Sequence, residues 1–441
     1  MTLKLNIIKM ESKRLFKTIL QAILVTVGYS ALIMVFYISF SELMGTLGNV
    51  FNDSSFSGVL RAFSMDINTF SYILNFYVSY SSIYVILIGC IYTGVLIVRI
   101  FSAEVRDGTY EFIYSKPASR TAFFASKTAV VLAFILVMNI LLFSTGLVLL
   151  ESLKSQSPPV PWLDGDNKEM LAEASYGKES ALLQVFTLDE TLFYYVVSDT
   201  ISTEIETSED SMKDMGLDGA QMKALMESFL QNPDALMKEI IENPDGYMEM
   251  FGIPPSERDK FISDIGAQMA EFQYLKDNFS NPAVAMELFS INPRPFLQQA
   301  ADRSMTDEFG DAFGLSDKQT QSLFRRYSFR NYLLVSVITM LIMLAVASVC
   351  ILISVAVRRG KFSSGMAVGV IMAFYFTDII SNISDKAEFL KYITPFGYLN
   401  TDVMNVGYAV EPRIWISLGG IIAVCLACAW LVFRRTDLQS G

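Results

Sequence analysis

The stretch NYLLVSVITMLIMLAVASVCILISVAV, residues 331–357, runs for 27 residues without a charged side chain. As a helix it would be about 40 Å long, enough to cross a hydrocarbon core of about 30 Å. Lipid offers no partner for open backbone groups, so such a segment must satisfy its amides internally, as a helix does. Five further stretches read the same way: 16–40, 78–100, 123–150, 362–384 and 413–433. The first is too long for a signal-peptide core and lacks a small-residue cleavage site after it, so it is expected to be retained. The stretch 362–384 is the weakest, because it carries Asp378 and a polar Ser-Asn-Ile-Ser end. The expected fold class is an all-α polytopic membrane protein with six transmembrane helices.

Composition agrees. Apolar residues make up 52% of the 441 and charged residues 18%, with a mean hydropathy of +0.40. The net charge of −11 is distributed unevenly. Residues 151–324 hold 32 acidic and 12 basic side chains, a net of −20, while the remainder carries +9. Lys and Arg cluster in the short loops on one side of the expected spans: Lys4 to Lys17, Arg99 to Lys127, Arg358 to Lys361, and Arg434 with Arg435. The opposite short loops hold Arg61, Lys386 and Lys391. Fifteen against three places both termini in the cytoplasm of a multi-pass cell-membrane protein and residues 151–330 outside. Residues 1–15 alternate Leu and Ile with Lys and Arg, the pattern of an interfacial amphipathic helix on anionic lipid.

Several kinds of chemistry are excluded. With no histidine there is no Ser-His-Asp triad, Cys-His pair or HExxH zinc site. The four cysteines, Cys90, Cys350, Cys425 and Cys428, lie in apolar runs and make no disulfide framework. The chain has no P-loop, and its acidity argues against nucleic acid as a partner. The spans hold Asp378 as their one acidic candidate for ion coupling, towards the outer end of its helix. If the protein transports something, the energy comes from a partner chain.

The segment 151–330 reads as a mainly helical inserted domain. Ser157-Pro158-Pro159-Val160-Pro161 is a stiff lead-in. Residues 180–208 fit strand or helix equally. From about 210 the reading is helical, with Asn-Pro pairs at 232–233, 243–244, 281–282 and 292–293 as N-cap and first helical residue, and capping boxes at Ser256 and Ser316. The helix begun at Ser316 reads as running on into the fourth span. Methionines between 212 and 269 point to a Met-rich core or pliable groove rather than a copper site. Asp164-Gly165-Asp166-Asn167 opens like a calcium loop, but the later ligands do not follow.

The loop between the second and third spans carries the most specific pattern. It reads Phe101-Ser-Ala-Glu104-Val-Arg-Asp107-Gly108-Thr109-Tyr-Glu111-Phe112-Ile-Tyr-Ser115-Lys116-Pro117-Ala-Ser119-Arg120, with Lys127 seven residues on. This resembles the coupling loop of ABC-2 type permeases, the membrane subunits of ABC exporters, at Glu104, Gly108, Thr109, Glu111, Ser115, Pro117, Ser119, Arg120 and Lys127. Ala118 and Val105 depart from the usual residues. Leu390-Lys-Tyr392-Ile-Thr394-Pro395-Phe396 resembles that family's partly re-entrant outer segment, and Phe433-Arg-Arg435-Thr-Asp437-Leu438 its C-terminal close. The resemblance covers about 1–150 and 328–441.

The resemblance implies that loop 101–122 docks on a cytosolic ABC ATPase and passes its closure to the spans, with Phe112 among the groups gripping that partner. It also implies pairing with a second permease copy or paralogue. ATP and Mg would be bound by the partner ATPase, leaving this chain without cofactor or enzymatic activity of its own. The expected function is export of a hydrophobic or amphipathic substrate. The alternative is a mechanotransmitting or peptide-sensing immunity subunit whose outer domain engages envelope partners without conducting substrate.

Overall fold

A computed structural model describes residues 5–51, 72–80, 84–102, 119–200, 225, 228, 229, 233–357, 360–383, 385–399 and 403–435. The chain divides into two units, one of residues 1–158 with 326–441 and one of 159–325.

In the first unit, α1 (Leu5–Phe51) is followed by α2 (Ile73–Tyr80), α3 (Ile86–Phe101) and α4 (Arg120–Leu153). After the inserted unit come α15 (Phe329–Ala356), α16 (Gly360–Ile383) and α17 (Pro412–Arg435). Five described helices are long and apolar enough to span a membrane: Leu5–Tyr37, Arg120–Gln156, Phe329–Ala356, Ser363–Ile383 and Pro412–Arg435. The chain therefore has the architecture of an all-α, multi-pass membrane protein.

Residues 5–15 form the first turns of α1, continuous with the expected first span; no Gly or Pro occurs before Gly28. Of the second expected span, 78–100, residues 78–80 close α2 and 86–100 fall in the apolar helix α3, while 81–83 lie outside the described residues.

Helix α3 sits at the centre of this unit, packed against α15 and α16 with α1 and α4 alongside. Cys90, Leu96, Ile97 and Ile100 of α3 are fully buried, among Val131, Ile135 and Met138 of α4 and Ile342, Met343 and Val346 of α15. Outward-facing residues of the surrounding helices remain apolar, including Leu24 and Phe36 on α1, Val148 on α4, and Ile416 and Val424 on α17. Such faces are stable against lipid tails and would be costly in water.

The seam of α4 and α15 depends on a close approach. A Cβ on Gly146 would lie 2.4 Å from the Tyr332 hydroxyl and 2.6 Å from that of Tyr77. Tyr332 is fully buried, donates to the Phe143 carbonyl at 2.7 Å and stacks on the Phe143 ring.

At the end of this unit from which the inserted chain departs and to which it returns, Arg326 is a cross-tie. It donates to the carbonyls of Lys154 (3.4 Å), Ser155 (3.1 Å) and Ser157. These carbonyls close the C-terminus of α4 and its short 3-10 extension, where a cation also complements the helix dipole. Tyr327 donates to Glu151, and buried Ser157 accepts from the Ile73 amide at 3.1 Å. Burial, then the Glu151 carboxylate, holds the Tyr327 hydroxyl above the usual phenol range.

The inserted unit, 159–325, is narrower than the expected 151–330, because α4 runs on to Leu153 and Arg326 belongs with the first unit. Strand β1 (Val160–Pro161) pairs antiparallel with β2 (Phe324–Arg325), Val160 opposite Arg325. This pairing ends the last helix of the unit at Leu323, so the expected run from Ser316 into the fourth span does not occur. Between the strands lie α5 (Gly165–Ser175), α6 (Glu179–Val185), α7 (190–200), α8 (Pro233–Glu242), α9 (Pro244–Met250), α10 (Arg258–Asn278), α11 (Pro282–Ile291), α12 (Arg294–Asp302), α13 (Thr306–Phe313) and α14 (Asp317–Leu323). The ambiguous 180–208 stretch is thus helical at 180–185 and 190–200, with 186–189 an irregular link and 201–208 outside the described residues.

The Asn-Pro punctuation is borne out in part. Asn281 caps α11 by accepting from the Ala283 amide at 3.1 Å, and Pro244 opens α9 without a side-chain bond from Asn243. Helix α12 starts one residue after Pro293, and Asn292 accepts from the Arg294 amide at 3.2 Å while donating to Asp199 and Thr200, both at 3.0 Å. At α14 the Gln319 side chain accepts from the Ser316 amide at 2.9 Å, while Ser256 lies in a 3-10 turn and does not cap α10.

Among the described residues the core of this unit is dominated by phenylalanine. Phe193, Phe279, Phe289, Phe296, Phe309 and Phe313 are buried together, with Phe309 and Phe313 stacked at 4.5 Å. Aromatic pairs contribute about 0.5–1.5 kcal/mol each beyond area burial, and their geometry orients the helices. Of the methionines singled out above, Met248 is buried, while Met250 and Met269 are half-buried. The calcium-like Asp164-Gly-Asp-Asn run is a cap and clasp. Asp164 accepts from the Asn167 amide at 3.0 Å, and buried Asn167 donates to the carbonyls of Trp162 (2.7 Å) and Ser322 (3.0 Å).

Candidate functional site

Residues 103–118, with Glu104, Gly108, Thr109, Glu111, Phe112, Ser115 and Pro117, lie outside the described residues. The two ends of that loop are described, and they converge on one structure at the feet of α1, α3, α4 and α17.

The loop re-enters at Ser119, whose hydroxyl caps α4 by accepting from the Ala122 amide at 3.2 Å. That cap fixes the helical register, and with it the face shared by Arg120 and Lys127, two turns apart. Arg120 donates to the Arg434 carbonyl at 3.3 Å, joining the start of α4 to the end of α17. Lys127 is only 1% exposed. Its ammonium donates to the Ile100 carbonyl in the last turn of α3, so the residue following the loop reaches back to the residues preceding it. It sits 4.8 Å from the centroid of Phe123 and 5.7 Å from that of Phe101, within cation–π range.

The counter-charge is Glu11 on α1, fully buried, with a carboxylate oxygen 3.7 Å from the Lys127 nitrogen. Arg14, one turn on, contacts the other carboxylate oxygen at 2.7 Å and donates to the Arg99 carbonyl at 2.9 Å. Arg99 in turn donates to the Thr18 hydroxyl at 2.7 Å. Around this chain of polar contacts is an aromatic collar. Phe101 lies 5.7 Å from Phe124, and Phe433 of α17 lies 5.4 Å from Phe124. The two buried charges, Glu11 and Lys127, thus face each other as an ion pair, with exposed Arg14 beside them, and pairing is the condition under which burial of charge is tolerated.

Of the expected site residues, Ser119, Arg120 and Lys127 are brought together here, and Phe433 with Arg434 from the C-terminal pattern joins them. Asp437 and Leu438 lie outside the described residues. Glu11, Arg14, Arg99 and Thr18 were not anticipated. One signal was available, since Glu11 is the sole acid among the first 41 residues, set among five cations.

Tyr392, Pro395 and Phe396 form a different place in the fold. They lie on two 3-10 turns, Asp385–Tyr392 and Pro395–Tyr398, folded back against α16. Buried Thr394 links the turns, donating to the Phe374 carbonyl at 2.8 Å and accepting from the Phe396 amide at 3.3 Å. Phe396 packs edge-on to Tyr375 at 6.1 Å, while Tyr392 is exposed and lies under the Arg413 guanidinium at 5.3 Å. A Cβ on Gly397 would meet the Lys391 backbone at 2.7 Å, so the turn closes only with glycine there.

Among the described residues no group of three His, Cys, Asp or Glu is arranged to hold a metal ion. No family model, curated protein or solved structure matches the chain.

Proposed function

We propose that this chain is the membrane subunit of an ATP-driven exporter of the ABC-2 type. It would couple a separate cytosolic ATPase to movement of a hydrophobic or amphipathic substrate, with six spans, cytoplasmic termini and the 159–325 unit outside. The observation that carries this reading is the Lys127 clasp. Both ends of the loop that resembles a coupling helix are bonded to one buried ion pair, which also holds α1. Force applied to the loop would reach α1, α3 and α4 at once through Glu11, Ile100 and Lys127, and α17 through Arg120. A loop held only by its covalent ends would dissipate the same push as local bending.

The test is co-purification of the tagged chain with a P-loop ATPase encoded beside it, followed by assay of that ATPase with and without the membrane subunit. Glu111→Arg should leave insertion intact and abolish stimulation of ATP hydrolysis. If no ATPase associates with the wild-type chain, the reading is wrong.

A second reading, mechanotransmission to an envelope partner, draws on the Arg326 tie. It fastens the departing and returning chain to the end of α4, so a displacement of α4 would be passed into the segment leading outward. An inserted unit required for partner binding but not for transport would favour that version.

A further inference from the structure

Where the start of α3 meets α4 and α15, the structure holds a cavity of about 30 Å³. Apolar side chains make most of its wall, among them Ile86, Leu142 and Val335, but Asn139, Ser336 and Thr339 also line it. Asn139 stands at the middle of the apolar helix Arg120–Gln156, at a depth where lipid offers no hydrogen-bond partner.

The protein satisfies only part of Asn139. Its amide nitrogen donates to the Ile135 carbonyl at 2.9 Å and to the Met343 sulfur at 3.4 Å. A carbonyl only accepts, so Ile135 fixes which end of the side chain is nitrogen. Among the described residues nothing donates to the Oδ1 atom that remains, and the Thr339 hydroxyl makes no hydrogen bond. Ser336 donates to the Tyr332 carbonyl at 2.8 Å, and its oxygen retains lone pairs that can accept.

Size decides the occupant. A water needs about 10–15 Å³ of such space and about two to four polar partners. The cavity therefore has room for roughly one or two waters, too little for an organic ligand, and its three polar residues supply the partners. A wholly apolar void would stay dry, whereas an amide oxygen left bare at this depth is the costly alternative.

We infer that this cavity is a hydration site inside the membrane-spanning unit. Its water donates to Asn139 Oδ1 and exchanges hydrogen bonds with the hydroxyls of Thr339 and Ser336. Water changes partners without a fixed geometry, so it keeps Asn139 satisfied while α4 and α15 shift against each other. The site rests on these side chains and holds whether or not the chain partners an ATPase.

The test is solution NMR of the full chain in nanodiscs of deuterated lipid, with Ile δ1 methyls labelled and magnetisation transferred from water. Ile86 lines the cavity and Ile97 lies on the same helix away from it; they are 2% and 0% exposed, so bulk water reaches neither. A water cross-peak is expected at Ile86 and none at Ile97. Asn139→Leu removes the acceptor but leaves both hydroxyls, so a signal relayed through hydroxyl protons would survive while that of a bound water is lost. An unmoved Ile97 resonance reports that the variant keeps its fold. Thr339→Val has the same shape and should weaken the Ile86 cross-peak about twofold by removing one partner. No cross-peak at Ile86, equal cross-peaks at both methyls, or an unchanged Ile86 cross-peak in either variant would overturn the inference.

Discussion

Replacing Lys127 by Met removes one charge from the clasp and keeps most of the volume. At 3.7 Å and an effective dielectric of about 20, the Lys127–Glu11 attraction is roughly 4 kcal/mol before desolvation is counted. Truncating one partner of a buried pair typically costs about 3–5 kcal/mol, because the remaining charge stays buried. Two features place this case at the low end. Arg14 still holds Glu11 at 2.7 Å, and the Met stem still packs on Phe123. The expected loss is therefore about 3 kcal/mol, part of it the charged hydrogen bond to the Ile100 carbonyl. Unfolding by sodium dodecyl sulfate in mixed micelles, followed by helical ellipticity, measures it. The decisive reading is a double-mutant cycle with Glu11→Gln, in which the double variant should recover about 1–3 kcal/mol relative to the sum of the singles. Strict additivity, or a Lys127→Met loss within about 0.5 kcal/mol, would refute the buried-pair reasoning and with it the clasp.

Gly146→Ala forces a methyl against the hydroxyls of Tyr332 and Tyr77, and should cost about 1–3 kcal/mol in the same unfolding assay. Adding Tyr77→Phe, which removes one of the obstructing oxygens, should restore part of that loss. Gly397→Ala meets backbone rather than a movable side chain and should open the 385–398 turns, read as faster hydrogen exchange at the Phe396 amide. Arg326→Ala leaves the carbonyls that end α4 without their cation. Limited proteolysis should then cut within 154–158 at least severalfold faster than in wild type, with the Phe core of 159–325 still resistant. In that unit, Asn167→Leu loses both clasp bonds and takes the side-chain donor from the Trp162 carbonyl, while the Ser322 carbonyl keeps Arg325 at 3.1 Å, for an expected loss of about 1–3 kcal/mol and a lower melting temperature.

Much of this was legible because it depends on local pattern. Residues 331–357 specify a membrane helix by length and apolarity alone, and the acidic 151–324 stretch stands apart by charge. Asn281-Pro282 marks a helix start because cap chemistry acts within four residues. What was missed shares a physical cause. Asn292-Pro293 also stands at a helix start, its side chain accepting from the Arg294 amide, but the same side chain donates to Asp199 and Thr200, some 90 residues earlier, which no local pattern announces. The helix from Ser316 stopped at Leu323 because Phe324 and Arg325 have a strand partner at Val160 and Pro161, which no local pattern announces. Among the described residues the core of the inserted unit is built by phenylalanines scattered from 186 to 324, which no local spacing announced; Met212, Met215, Met222, Met226 and Met237 lie outside the described side chains. The clasp was half legible: Lys127 stood out by its distance from the loop, but its counter-charge did not.

What the amino-acid order determined by itself is the set of apolar helices, the division of charge and the loop pattern between 101 and 127, since hydropathy, capping and charge act over a few residues or sum over many. What only the tertiary structure decided is which polar side chains meet. Glu11 and Lys127 are 116 positions apart, and Arg120 reaches the Arg434 carbonyl 314 positions away. Their pairing is set by how the helices pack around α3, a free energy that belongs to no single segment of the chain.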